Sequence, residues 1–191
     1  MENGKWKMEN GKWLVKLACV AGASLPFASN FLQLKSELEG IALEKRLQAL
    51  EDPISSLHPS VPEVSKFLYD KIKAENNHFI DVVDEELSPE FRKAILLLSG
   101  AGWLKKSGIF IEPLNPAYVV YMAGLCEPDS TLNELVGYVD DCESGVVITA
   151  KELCESLKVP SILVLALFQL YSDKNLGLYD KTINHESYVA K

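Results

Sequence analysis

The residues able to do chemistry fall into a few groups, and their spacing limits each. Arg92, Lys93, Lys105 and Lys106 form a basic cluster in the middle of the chain, and Lys5, Lys7, Lys12 and Lys16 form another at the N-terminus. Cations so placed could meet phosphate, whose neutralisation releases counterions and drives nucleic-acid affinity, although such runs are more often solvated surface. The acidic run Asp140-Asp141-Cys142-Glu143 could attract a cation, and Asp84-Glu85-Glu86 reads as a charged helix face. His58, His78 and His185 stand far apart, without the spacing that pairs histidines on a metal. Cys19, Cys126, Cys142 and Cys154 contain no C-x-x-C pair, so reduced thiols in a cytoplasmic protein are expected. Cys154 lies among apolar positions of a short helix and reads as core. No G-x-S-x-G, Walker loop, H-E-x-x-H or Rossmann glycine pattern is present. The expectation is a non-enzyme with no catalytic, cofactor-binding or metal-ligating residues.

Charge sharpens this. The net charge is −8, which opposes nucleic acid unless a local patch overrides it. Residues 112–158 carry nine Asp/Glu against two Lys, the reverse of a DNA footprint. The apolar fraction of 48% and charged fraction of 24% are those of a globular chain, which excludes disorder throughout. With 191 residues the chain is one large domain or two small ones.

The elements that must position these groups can be read along the chain. Met-Glu-Asn-Gly-Lys-Trp occurs at 1–6 and again at 8–13, a duplicated start, and residues 1–12 are expected to be poorly ordered. Residues 17–34 carry no charge, near the length of a bilayer span. Ser24, Pro26, Ser29, Asn30 and Gln33 dilute that stretch, so a surface or partner-binding helix is the better reading. Residues 35–51 form an amphipathic helix, with Leu38, Ile41 and Leu47 at helical spacing, and 13–52 is one helical segment. Residues 52–62, with Pro53, Pro59 and Pro62, read as linker.

Two units of similar grammar follow, over 61–112 and 129–191, joined by a connector at 113–128. In the first, a helix over 63–74 leads to a strand at 79–80, a short helix over 81–87, and a longer helix capped by Ser88 with Pro89 at its first position. Trp103-Leu104 and residues 109–111 flank Lys105-Lys106-Ser107-Gly108, which reads as a hairpin turn. In the second, Thr131-x-x-Glu134 and Thr149-x-x-Glu152 read as capping boxes, on either side of a strand at 146–148. Val159-Pro160 then opens an apolar helix, and a hairpin runs over 176–179 and 187–190. Ile80 matches Ile148, Ser88-Pro89 matches Val159-Pro160, and Trp103 matches Leu176, at an offset of about 70 residues. The apolar run 118–125 reads as a helix packing both units together.

The order helix, strand, helix, helix, hairpin over 61–190 resembles the winged-helix superfamily, twice over. The resemblance implies a mainly α fold with small β-hairpins, in which the second helix of each turn motif carries the base-reading side chains. In the second unit that helix, 160–171, holds no Lys, Arg or Asn, and Ser161 and Val164 stand where DNA readers place polar groups. It is apolar on nearly every side, so it is covered by the other unit or by a partner. Two such units in a small acidic chain are also similar to kleisin-interacting tandem winged-helix elements, accessory subunits of SMC-type ATPase complexes. That likeness implies a non-enzymatic adaptor docking a larger protein through Leu38, Ile41, Leu47, Leu163 and Leu167, in genome maintenance or antiphage and antiplasmid defence. The alternatives are a DNA-binding regulator through Arg92, Lys93, Lys105 and Lys106, and a membrane-associated effector through residues 13–34. Homodimerisation through the amphipathic segment is a further option.

Overall fold

The computed structural model describes residues 54–180 and 186–191. The expectations for the duplicated start, the uncharged stretch and the amphipathic helix with Leu38, Ile41 and Leu47 lie outside the described residues. Within them the protein is mainly α-helical, with two small three-stranded antiparallel sheets.

Helix α1 (Val61–Glu75) carries Pro62 in its first turn, where a missing N–H is harmless. It buries Val61, Val64, Leu68 and Ile72 at helical spacing. It ends on Asn76, which adopts the left-handed conformation at φ 46°. The linker expected at 52–62 is therefore corrected in its second part. Ile54 is buried, Ser55–Leu57 makes a 3-10 turn, and Val61 and Pro62 belong to α1. Proline in the first turn of a helix has the same composition as proline in a linker.

Strand β1 (Ile80–Asp81) follows, but the helix expected over 81–87 is a single 3-10 turn, Asp84–Glu86. Pro89 holds Ser88 in extended backbone (φ −63°, ψ 158°), which stops any helix before a second turn can form. Ser88 then caps α2 (Pro89–Gly100), its hydroxyl accepting the Phe91 N–H at 3.1 Å. β2 (Leu104–Ser107) and β3 (Phe110–Pro113) form the hairpin, and β1 pairs with β3 to give the order β1-β3-β2. Lys105 and Lys106 lie in β2, opposite Glu112 and Ile111, and not in the turn. The turn is carried by Gly108, whose φ of 61° suits a residue without a Cβ.

After α3 (Pro116–Cys126) comes α4 (Asp129–Asp140), which starts ahead of the expected box at Thr131. Pro128 supplies the extended N-cap backbone and Asp129 a first-turn carboxylate, so Thr131 lies inside the helix and that box is absent. The second box is formed. Thr149 Oγ1 accepts the Glu152 N–H at 3.3 Å, and Glu152 Oε2 accepts the Thr149 N–H at 3.2 Å. It joins β4 (Val147–Thr149) to α5 (Ala150–Leu157). Helix α6 (Ser161–Asp173), β5 (Gly177–Asp180) and β6 (Ser187–Ala190) complete a sheet of order β4-β6-β5, the order of the first.

The repetition extends to single backbone hydrogen bonds. Trp103 N–H reaches Leu98 O, as Leu176 N–H reaches Tyr171 O. Leu114 N–H meets Trp103 O, as Lys191 N–H meets Leu176 O. Val82 N–H meets Ile109 O, as Ala150 N–H meets Glu186 O, both at 2.8 Å. Only the expected helix-start match slips by one: Ser88 and Pro160 are the two N-cap residues, so Pro89 corresponds to Ser161.

A continuous hydrophobic core runs from Ile54 to Tyr188. Helix α3 packs on both α1 and α6, with Tyr118 to Ala123 all buried.

Candidate interaction surface

The expected docking residues on the apolar helix are inside the fold. Leu163 and Leu167 are each 1% exposed, and α6 packs on α3. The cover for this helix is another part of the same chain, which corrects the expectation that these two leucines face a partner. An apolar helix signals burial but not what buries it.

The start of α6 is also occupied. Asn76 Oδ1 accepts the Ser161 N–H at 3.1 Å and the Ser161 hydroxyl at 3.3 Å, and His78 Nε2 lies 3.4 Å from the same hydroxyl. Asn76 thus ends α1 with its backbone and caps α6 with its side chain. Val159 and Pro160, leading into the helix, are buried. A helix N-terminus that enters a DNA groove must offer its first-turn residues to the outside. Here Ser161 meets the loop after α1, and Ile162, Leu163 and Val164 are buried.

The four central cations do not make one patch. Lys106 Nζ pairs with Asp84 Oδ1 at 2.9 Å. That hydrogen bond and ion pair, with a smaller contribution from Arg92, hold the Asp84 carboxyl below the usual carboxylate range. Arg92 and Lys106 thus converge on one acid. Lys105 projects instead from the outer sheet face, opposite Glu112, beside a shallow depression of about 550 Å³ that Phe79, Asp81 and Phe110 also line. Lys93 is exposed on α2. Acidic neighbours at Asp81, Asp84 and Glu112 cut into the field a phosphate backbone would feel.

A polar ladder fixes the other side of the connector. Ser55 Oγ and Tyr121 Oη lie 2.6 Å apart, and Ser65 Oγ and Tyr118 Oη 3.0 Å apart. Glu127, buried just past α3, accepts the Tyr69 hydroxyl at 3.0 Å and Lys73 Nζ at 2.8 and 2.9 Å. A buried carboxylate needs such partners, and these tie α1 to α3. The thiols of Cys126 and Cys154 are pushed up to about 11 by burial, which keeps them protonated and poorly nucleophilic. Among the described residues, no group of three or more His, Cys, Asp or Glu is placed to hold a metal ion, and no helix is long and apolar enough to cross a membrane.

What the sequence reading missed are the apolar side chains that remain outside. Leu96 is 65% and Leu97 38% exposed on α2. On the second sheet Val147, Val189 and Leu178 stand in register across all three strands, with Val147 and Leu178 exposed. The signal was present: four consecutive aliphatic residues, 95–98, cannot all face one side of a helix.

No protein-family model, curated protein or solved structure matches this chain.

Proposed function

We propose that this chain is a non-enzymatic docking subunit built from two winged-helix units, with the accessory subunits of SMC-type ATPase complexes as the sharpest form of the reading. The observation that carries it is the fate of α6. In a DNA reader the start of this helix would be offered to the groove, but here Asn76 caps it, its leucines are buried, and the helix packs on α3. The shared strand order and the repeated backbone hydrogen bonds support the winged-helix assignment. The exposed leucines of α2 and the aliphatic row of the second sheet support association with protein, since monomers rarely leave such groups grouped in the open.

The test is co-expression with the products of the neighbouring genes. The expected result is co-elution of a stable complex at the summed mass. Elution of the chain alone at monomer mass ends the reading.

A further inference from the structure

We infer that the outward stripe of α2 is a docking surface for an acidic, apolar α-helix of a partner protein; the inference rests on the docking reading above. Residues 92, 93, 96 and 97 fall on one face of a helix, one turn apart, and all four are exposed, while Ala94, Ile95 and Leu98 on the other side are buried. The stripe therefore reads as a cationic turn, Arg92 and Lys93, followed by an aliphatic turn, Leu96 and Leu97.

Both halves call for something on top. Leu96, at 65% exposed, is among the most exposed large apolar residues described. Arg92 donates its Nε–H to Leu87 O at 3.2 Å, and among the described residues neither Arg92 nor Lys93 enters an ion pair. A purely apolar partner laid over the leucines would also cover two unpaired cations, at a desolvation cost nothing repays. A partner that brings carboxylates to the cationic turn and leucine-like side chains to the aliphatic one satisfies both. Side chains at i and i+4 of a second helix repeat at the same spacing as the stripe, the geometry of a helix laid on a helix. Nucleic acid fits less well, since phosphate has no use for the leucines.

The test uses the purified full chain and labelled synthetic helix-forming peptides. One carries leucines at i and i+4 with glutamates one turn away; its twin has lysines for the glutamates; a short DNA duplex is the third probe. Fluorescence anisotropy should show the glutamate peptide bound at least roughly tenfold more tightly than its twin. Leu96→Glu should lose at least roughly tenfold in affinity for it. The R92E/K93E variant should prefer the lysine peptide, a reversal that a damaged fold cannot produce. Equal binding of the two peptides, or an unchanged preference in R92E/K93E, overturns the inference. So does duplex binding that vanishes in R92A/K93A, which assigns the stripe to nucleic acid. The outcomes also separate the two levels: a co-eluting complex that tolerates every α2 variant leaves the docking subunit standing and removes only this surface.

Discussion

Replacing Gly177 by alanine puts a single methyl where the second sheet has no room for it. An added Cβ would lie 2.3 Å from Tyr188 Cζ and Oη and 2.5 Å from Cε2, more than an ångström inside ordinary contact. The ring cannot easily yield. Tyr188 is buried, stacked on Phe168 at 5.4 Å between centroids, and met edge-on by Tyr171 at 6.0 Å. Either β5 moves off β6 or the aromatic cluster repacks. Overpacking of this kind costs about 1–3 kcal/mol, and the tightness of the box argues for the upper part of that range. The backbone entropy that alanine removes from the unfolded chain offsets under about 1 kcal/mol. A net loss of about 2 kcal/mol should lower the melting temperature of a chain this size by roughly 4–8 °C. Urea unfolding followed by circular dichroism should show a lower midpoint at unchanged slope. The matched control is Gly137→Ala in α4, where nothing lies within 4 Å of the new methyl. There the helix should gain about 0.5–1 kcal/mol. If Gly177→Ala is as harmless as Gly137→Ala, the register of β5 on Tyr188 is wrong.

Three further outcomes follow from the polar groups. Asn76→Gly removes the cap on α6 without straining the left-handed backbone and should cost about 1 kcal/mol, with faster amide exchange at Ser161; unchanged exchange there denies the interlock. Glu127→Ala strands the Tyr69 hydroxyl and Lys73 and should cost about 2 kcal/mol in denaturant unfolding, whereas a neutral result means water or another group already serves them. Burial pushes Tyr69, Tyr118, Tyr171 and Tyr188 above the ordinary tyrosine value and Tyr179 up to about 12. The unfolded chain ionises its tyrosines near pH 10 while the folded one does not, so this stabilisation is complete below about pH 10 and is lost as pH rises beyond it. Phenolate absorbance should therefore grow together with loss of helical signal; tyrosines that titrate freely near pH 10 in an intact fold contradict the burial.

Local signals in the sequence located most elements, because each had its own chemistry. Ser88 before Pro89, and Thr149 with Glu152, mark helix starts through side-chain oxygens that a backbone N–H needs, and both bonds form. The same pattern at Thr131 misleads, since Pro128 and Asp129 open that helix earlier with backbone shape and charge. Lys105 and Lys106 look like turn residues beside Gly108, yet pairing with β3 draws them into the ladder. The candidate surface was less legible. Burial of Leu163 and Leu167 depends on how α6 packs on other elements, α3 among them and far away in sequence, and the exposure of Leu96 depends on which neighbours the first unit lacks. Composition cannot rank such long-range choices. It could flag apolar excess, and did so for α3 and α6 while passing over α2.

The position of α3 has a consequence in time as well as in space. Because helices of both repeats pack on it, neither repeat can swing away without wetting tyrosine, valine and methionine side chains at roughly 1.5–3 kcal/mol each. Partial opening then costs nearly as much as losing everything, and the cheap excursions are confined to strand ends and loop tips. Deep amides of α1 and of α6, which both pack on that helix, should exchange on a single clock.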